Sequence, residues 1–376
     1  MEKRAVCVSC FDFYDHRVEL VMDQLRSRGY KCTYITGDFS HFTQQKYTIN
    51  VPGGEQVPTI PYYKNMSVAR VASHHFFAKA VFKRIEEIRP DFLYLMVPPN
   101  SLSLRAGRYK KKHPKVKLVL DLYDLWPETF PNGRAKKLAA LPFKLWGLMR
   151  DKGLKYADLV YTECDLYRHV LKKQLKDKET RLLPICRETP TTGPEPVAPD
   201  GPELSLCYLG SIGKLLDIDA LTELLRQMAA LRPVNFHIIG EGETRAEVIR
   251  AAEDTGAHVM YYGRVYDPQK RQAIFDQCHF GINIMKTDVC VGLTMKSLDY
   301  FAGGLPIING IEADTRRIIR KYDAGIELDR GDIARTAREA AMMTAERNTA
   351  MRRNTLRMFE ENFSAAHVRG ILSELE

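Results

Sequence analysis

The chain has 376 residues and a mass of 43.0 kDa, which suits two domains and excludes a single small module. Apolar residues make up 45% and charged residues 27%, a globular composition that argues against a disordered, fibrous or disulfide-scaffold protein. Lys and Arg outnumber Asp and Glu by 12 over residues 1–200 and fall 3 short over residues 201–376, so the two halves are expected to face different partners.

The eight cysteines are scattered through apolar runs, as expected for free thiols in a reducing compartment. Cys7 and Cys10 form a lone CxxC without a second pair or a His cluster, so no metal site is predicted. The N-terminal apolar run is too short for a secretory signal, and no run reaches the roughly 18 apolar residues of a membrane span. We expect a cytoplasmic protein, peripheral on the inner face of the plasma membrane.

Short β-rich apolar runs alternate with amphipathic stretches along the chain. The strands predicted in the first half are 4–10, 31–36, 91–97, 117–121 and 158–162. Five prolines between Arg187 and Glu203 can neither donate ladder hydrogen bonds nor continue a helix, so residues 188–203 are predicted to be a linker. The first domain is therefore predicted over residues 1–187, and a C-terminal helix at 361–376 could pack back on it.

The second half repeats the same alternation and is predicted to form a domain over residues 204–360. Its predicted strands are 204–209, 234–239, 258–262, 279–284 and 305–309, and its predicted helices are 217–231, 244–255, 269–277, 295–303 and 332–360. Apolar runs without polar alternation suit parallel strands that are buried on both faces. The predicted fold class is α/β, with two Rossmann-like doubly wound parallel-sheet domains facing across a cleft.

Two glycine-containing loops follow predicted strands of the second half, where doubly wound sheets bind their ligands. LGSIGK offers Gly210 for close backbone approach and Lys214 for neutralising a phosphate, although an ordinary turn with a solvated lysine explains it equally well. IIGEGE places Gly240 and Gly242 before a helix but lacks the third glycine of the dinucleotide fingerprint, which disfavours NAD.

A third loop, DVCVGLTMKSLDYFAGGLPIIN, carries the sharpest signal. Thr294 is a candidate N-cap, so the amides of Gly292, Leu293 and Thr294 would lie at a helix N-terminus, where a diphosphate is favoured. Lys296 and Asp299 follow on one side of that helix, as a cation for phosphate and a carboxylate for sugar hydroxyls. The alternative is a surface i,i+3 ion pair between these two residues.

The segment GLTMKSLDYFAGGLPII resembles the donor-site signature of the family-four retaining glycosyltransferases. YLGSIGK, IIGEGE and YYGRV are similar to other motifs of that family, which implies the GT-B fold. LDLYDLWPE is similar to an element of bacterial members that build exopolysaccharide, capsule or O-antigen. The resemblance thus spans most of the chain.

The resemblance implies a nucleotide-sugar donor, UDP-linked, with no metal and no other cofactor. The residues implied in nucleotide binding are Gly210, Gly240, Gly242, Arg264 near the base, Gly292, Leu293, Thr294 and Asp299 on the ribose hydroxyls. The residues implied in catalysis are Lys214 and Lys296 on the phosphates and Asp124 on the acceptor side.

Three positions depart from the family pattern. Val291 stands where the family often has its first acid, the usual Arg of the first loop is absent, and CFDFYDHR replaces an N-terminal glycine pair. These departures leave the sugar and the catalytic contacts open.

The acceptor is expected to bind the first domain. Asp124 follows a predicted strand, and Asp15, His16 and Glu128 are further polar candidates, with N-capping as the alternative role for Asp124. LPFKLWGLMRDKGLK reads as a basic amphipathic helix suited to an anionic membrane surface or, alternatively, to core packing with solvated lysines. Its predicted interfacial residues are Leu145, Trp146 and Met149, ringed by Lys144, Arg150, Lys152 and Lys155.

The leading hypothesis is a retaining glycosyltransferase that moves a sugar from a nucleotide donor to a lipid-linked or saccharide acceptor in surface polysaccharide biosynthesis. One alternative is a sugar-nucleotide epimerase on the same fold. Another is a non-catalytic basic protein that binds membrane or nucleic acid. Nucleic acid is disfavoured because no aromatic platform, helix-turn-helix or RNP pattern accompanies the basic residues.

Overall fold

The computed structural model describes residues 2–64, 67–130, 140–188, 197–199 and 201–375. The chain divides into two compact units, one of Met1–Ile185 with Val368–Glu376 and one of Cys186–His367. More than half of the predicted linker lies outside the described residues.

The first unit is built on a parallel sheet with the strand order β3-β2-β1-β4-β5-β6-β7. Its strands within the described residues are β1 (Lys3–Val8), β2 (Tyr30–Gly37), β3 (Gly54–Val57), β4 (Phe92–Val97), β5 (Lys117–Leu122), β6 (Leu159–Thr162) and β7 (Thr180–Leu182). Five of these were expected from the apolar runs. The edge strands β3 and β7 were missed because GEQV and TRL are short and carry no apolar run.

The helices of the first unit connect these strands. They are α1 (Asp15–Ser27), α2 (Val68–Ile88), α3 (Asn100–Lys112), α4 (Ala140–Leu154) and α5 (Asp165–Val170), and a short 3-10 helix covers Asp12–Tyr14. The strand order reverses between the neighbouring strands β1 and β4. The loops after β1, β4 and β5 therefore meet at the kind of switch point where doubly wound sheets bind ligands.

The second unit contains a second parallel sheet, with the strand order β10-β9-β8-β11-β12-β13. Its strands within the described residues are β8 (Leu204–Leu209), β9 (Val234–Ile239), β10 (His258–Gly263), β11 (Phe280–Asn283), β12 (Ile307–Asn309) and β13 (Gly325–Glu327). Its order reverses between β8 and β11, so the loops after those strands share a switch point. The predicted two-sheet α/β class is confirmed.

Helices cover both faces of this sheet in chain order. They are α6 (Ile218–Ala229), α7 (Arg245–Glu253), α8 (Pro268–Phe275), α9 (Met295–Ala302), α10 (Ala313–Tyr322), α11 (Ile333–Ala341) and α12 (Ala345–Phe363). The last helix, α13 (Ala365–Leu372), begins in the second unit and belongs to the first unit from Val368 onward. The single helix predicted over 332–360 is wrong, because Thr344 caps a new helix and accepts a hydrogen bond from the Arg347 amide. Strand β13 and helix α10 were missed.

The sheets carry the buried cores. In the second unit Leu206, Phe236, Phe280 and Ile308 from four strands are completely buried together with α6 and α11 side chains. All eight cysteines are free thiols, six of them buried. Among the described helices, none is both long and apolar enough to cross a bilayer.

Candidate functional site

Helix α9 begins at the carboxyl edge of the second sheet with the predicted N-cap. The Thr294 hydroxyl accepts a hydrogen bond from the Ser297 amide over 3.2 Å, which confirms the cap. The amides of Gly292, Leu293 and Thr294 donate to no acceptor in the described part of the chain. Three N–H groups at a helix start form a ready site for an anion.

Two buried asparagines hold that helix start against the strands. Asn283 ends β11 and donates to the Ser297 hydroxyl over 3.0 Å and to Asn309 Oδ1 over 2.9 Å. The Thr294 hydroxyl donates to Asn283 Oδ1 over 3.2 Å. Asn309 ends β12 and is 2% exposed. These asparagines were missed in the sequence, although Asn309 ends the predicted run 305–309 and Asn283 is the penultimate residue of the run 279–284.

Lys296 lies at the switch point of the second sheet. Its ammonium is 4.5 Å from the centre of the Tyr208 ring, and its Cδ lies next to Gly210 of the first loop. Burial lowers the pKa of Lys296 to about 8. The structure thus brings Lys296, Gly210 and the loop amides into one small region, as the sequence predicted.

Tyr300 fixes the orientation of α9 against β8. Its buried hydroxyl accepts a hydrogen bond from the Leu209 amide over 2.6 Å and donates to the Cys207 carbonyl over 3.0 Å. Because the hydroxyl is fully enclosed, α9 and the end of β8 are expected to behave as one rigid body.

The glycines of the second loop are required by loop packing. A side chain at Gly240 would collide with the Gly210 carbonyl, and one at Gly242 would collide with the Ile212 carbonyl. The two loops are joined by a hydrogen bond from the Ile212 amide to the Glu241 carbonyl over 2.9 Å. Gly240 and Gly242 therefore have a structural role, and their part in nucleotide binding stays a prediction.

Lys214, predicted to neutralise a phosphate, forms an exposed ion pair with Glu243. Its ammonium lies 3.4 Å from Glu243 Oε2, and its side chain is 77% exposed. An exposed pair of this kind is weak and easily exchanged for a phosphate.

Arg264 follows β10 and acts electrostatically on Glu241. The pKa of Glu241 is lowered chiefly by a hydrogen bond from Tyr261 and further by Arg245 and Arg264. Arg264 thus lies close to the second loop, and its place near the nucleotide base stays a prediction.

Asp299 is partly buried and pairs with arginines. Arg187 Nε donates to Asp299 Oδ1 over 3.0 Å, and an Arg271 nitrogen lies 3.8 Å from the same oxygen. The surface ion pair between Lys296 and Asp299, considered above as the alternative, is wrong because Asp299 turns to Arg187 and Lys296 lies over Tyr208.

In the first unit Asp124 follows β5 at the switch point. Its Oδ1 accepts hydrogen bonds from the Leu125 amide over 2.7 Å and the Thr129 hydroxyl over 3.1 Å. Burial raises the pKa of Asp124 to about 6. A carboxyl with this pKa is mostly ionised at neutral pH, and its role on the acceptor side stays a prediction.

Arg70 acts electrostatically on this carboxyl and is itself surrounded by aromatic rings. The guanidinium lies 4.2 Å from the Trp126 ring centre, 5.5 Å from that of Tyr62 and 5.9 Å from that of Phe11. Both ring nitrogens of buried His74 have no hydrogen-bond partner among the described residues. Arg70 and His74 were missed because they come from the first turns of α2, far in sequence from LDLYDLWPE.

The neighbouring Asp121 is structural. It is fully buried and pairs with Arg17, with Nε to Oδ2 at 2.6 Å and the second nitrogen to Oδ1 at 2.9 Å. Arg17 also donates to the Leu183 and Pro184 carbonyls. Asp121 therefore ties α1 and the chain after β7 to the sheet.

Helix α4 differs from its predicted interfacial role at Arg150 and Trp146. Arg150, expected on the basic rim, is 1% exposed and pairs with Glu128 over 2.6 Å, so its guanidinium is not available to a ligand. Trp146 packs edge-on against Trp126 at 5.2 Å. The exposed face of α4 is instead made of Leu141, Leu145 and Leu148 beside Lys144 and Lys152.

The second unit is similar in sequence to a known protein family. Residues 204–345 match the family model described as Glycosyl transferases group 1. Residues 204–345 therefore form a glycosyltransferase domain. The matched range contains all three glycine-containing loops and α9, so the predicted resemblance and enzyme class are confirmed.

Solved structures share the GT-B fold over the whole chain. The sucrose-phosphate synthase of Thermosynechococcus elongatus is 12% identical, with 99% of this chain and 98% of that chain covered and a TM-score of 0.72. WaaG, a glycosyltransferase involved in lipopolysaccharide biosynthesis, is 13% identical, with 98% of each chain covered and a TM-score of 0.63. HepE from Anabaena in complex with UDP is 12% identical, with 100% and 99% covered and a TM-score of 0.68. No curated protein matches the chain in sequence.

Proposed function

We propose that the protein is a retaining glycosyltransferase that uses a UDP-sugar and transfers its sugar to a lipid-linked or saccharide acceptor in surface polysaccharide biosynthesis. One observation carries the proposal. The amides of Gly292, Leu293 and Thr294, beside Lys296, donate no hydrogen bond to any described residue. Structures of HepE with UDP and with UDP-glucose support the choice of donor. The lipopolysaccharide role of WaaG supports the polysaccharide context.

In this proposal the bond from the anomeric carbon to the β-phosphate oxygen breaks, and a bond from that carbon to an acceptor hydroxyl oxygen forms. The three amides and Lys296 stabilise the charge that develops on the departing diphosphate, and Lys214 is recruited from Glu243. The hydroxyl proton leaves with the diphosphate. These groups supply the positive charge themselves, so we propose that no metal is required.

On the acceptor side, we assign Asp124 to the acceptor hydroxyl and the partly exposed Trp126 ring to a sugar face. A carboxylate accepts hydrogen bonds from hydroxyls, and aromatic rings cover the apolar faces of sugars. The basic first half is assigned to the cytoplasmic membrane surface, where a lipid-linked acceptor would reside.

A thermal-shift panel of nucleotide sugars tests the donor assignment, because a ligand that binds only the folded state raises its stability. We expect UDP and UDP-sugars to raise the Tm, and GDP- and ADP-sugars to have less effect. Incubation with the donor alone then separates transfer from epimerisation. An epimerised UDP-sugar in the absence of acceptor would contradict the proposal.

A further inference from the structure

A groove of about 340 Å³ lies between α2 and α3 in the first unit. It is lined by Lys79, Phe82, Lys83, Glu86, Arg105, Arg108, Tyr109 and Lys112. Five of these eight side chains are cationic and one is acidic. The two aromatic side chains are 7% and 4% exposed, so the groove has a firm apolar base.

The charges in this groove are not balanced by the protein. Glu86 pairs with Lys112 over 3.0 Å and with His113 over 3.4 Å. In the part of the chain that the structure describes, no carboxylate pairs with the other four cations, Lys79, Lys83, Arg105 and Arg108. The pKa of Arg105 is lowered by burial and by the like charge of Arg108. An anion in the groove would relieve this repulsion.

Exposed apolar side chains flank the groove. The first half of α2 presents Val68, Val71 and Phe76, which are 86%, 54% and 50% exposed. Helix α3 packs against α4, where Gly107 faces Gly153, and α4 carries the exposed leucines described above. Clustered exposed apolar residues beside cations are typical of a surface that meets a lipid bilayer.

We propose that the groove between α2 and α3 binds the phosphate of an anionic phospholipid while the flanking apolar side chains enter the outer part of the bilayer. This inference rests on the membrane association within the proposed function and names the surface that mediates it. A bilayer suits the chemistry because the exposed apolar side chains that flank the cations are mostly aliphatic. Single-stranded nucleic acid would instead need exposed rings for stacking bases.

Vesicle binding tests this proposal with two charge-matched variants. The double substitution Lys83→Gln with Arg108→Gln alters the groove, and Lys172→Gln with Lys173→Gln alters exposed lysines outside it. Both lower the formal net charge from +9 to +7. We expect the groove variant to bind phosphatidylcholine vesicles containing phosphatidylglycerol about 30-fold more weakly, and the control variant to stay within about threefold of the parent. Equal losses of vesicle binding in both variants would overturn the groove assignment, because net charge alone would then explain the binding.

Further measurements distinguish a phosphate on a lipid from a phosphate on a soluble molecule. Phe76→Ser changes a half-exposed side chain, so the fold is kept, and it should weaken vesicle binding without changing the response to soluble glycerol 1-phosphate. A thermal shift with glycerol 1-phosphate as large as that with vesicles would mean a small-molecule site and would overturn the lipid assignment. Tighter binding to a single-stranded oligonucleotide than to the vesicles would do the same.

The outcome is separable from the proposed transfer reaction. Thermal shifts with UDP report on the second unit and should be equal in the parent and in all groove variants. If parent protein responds to UDP but not to anionic vesicles, the groove assignment fails and the donor assignment stands.

Discussion

Asp299 on α9 accepts a hydrogen bond from Arg187 Nε over 3.0 Å, and both arginine contacts of this carboxylate fall on Oδ1. No described residue donates to Oδ2. Arg187 is itself fixed by backbone hydrogen bonds, from its amide to the Phe363 carbonyl and from the Ala365 amide to its own carbonyl, each 3.1 Å. Asp299 is therefore held in one orientation, and its Oδ2 is open to the ribose hydroxyl that we propose it binds.

We predict that Asp299→Asn weakens UDP binding about tenfold to 100-fold, because a hydrogen bond to a charged group contributes about 1.5–3 kcal/mol. Binding of inorganic diphosphate should be unchanged, since the ribose is absent from that ligand. Titration calorimetry with both ligands measures this difference, with the exposed Asp254→Asn as the control. An equal loss for both ligands would place Asp299 on the phosphates instead.

The lowered pKa of Lys296, about 8, predicts how donor binding depends on pH. The ammonium is charged below that pH and neutral above it, so UDP affinity should fall as the pH rises through about 8. Lys296→Arg keeps its charge at these pH values and should abolish the decline. Calorimetric affinities on either side of pH 8 provide the check. If the UDP affinity of both proteins falls equally as the pH rises, deprotonation of Lys296 is not the cause of the fall.

The raised pKa of Asp124, about 6, predicts an acidic limit to transfer. If the carboxylate accepts the hydrogen bond of the acceptor hydroxyl, the transfer rate should fall as the pH drops through about 6. The Asp124→Asn enzyme should transfer the sugar more slowly, and its rate should not fall as the pH drops through about 6. Because a carboxyl with a raised pKa costs stability once it ionises, the Asn variant should unfold no more easily than the parent above pH 6. Pre-steady-state transfer rates and chemical denaturation together test this assignment.

Asp121 lies three residues before Asp124, and unlike that residue it should be needed for stability. Asp121→Asn leaves the buried Arg17 guanidinium without its carboxylate, and we expect the free energy of unfolding to fall by about 3–5 kcal/mol. Replacing both residues, with Arg17→Met and Asp121→Leu, should recover much of that loss. Urea denaturation followed by circular dichroism measures both. A stable but inactive Asp121→Asn protein would contradict the structural role.

Metal removal tests the chemistry assigned to the amides and lysines. We expect dialysis against EDTA to leave transfer from a UDP-sugar within about twofold of the untreated rate, because the cationic groups that stabilise the diphosphate belong to the protein. Restoration of a lost rate by Mg²⁺ or Mn²⁺ would show that a metal carries part of that role.

Much of the fold could be predicted from the sequence because buried parallel strands form continuous apolar runs. Strands β1, β8 and β9 follow such runs closely. The edge strands β3, β7 and β13 could not be found, since an edge strand is short and needs no apolar run.

The candidate site was predictable only where its residues are close in sequence. Thr294 and Lys296 share one loop and helix, and their spacing predicts their geometry. The partners Arg187 and Asn283 come from distant elements, as does Arg70 in the first unit, and no local pattern links them to the loops. Arg150 was misassigned because a helical pattern cannot reveal that the Glu128 carboxylate pairs with it from another element.

The central claim is that the amides of Gly292, Leu293 and Thr294 bind the donor diphosphate. A crystal structure of the protein with UDP tests it most directly. We predict diphosphate oxygens within hydrogen-bonding distance of these three amides, with the ribose at Asp299 Oδ2. A nucleotide bound elsewhere, with the start of α9 empty, would contradict the account.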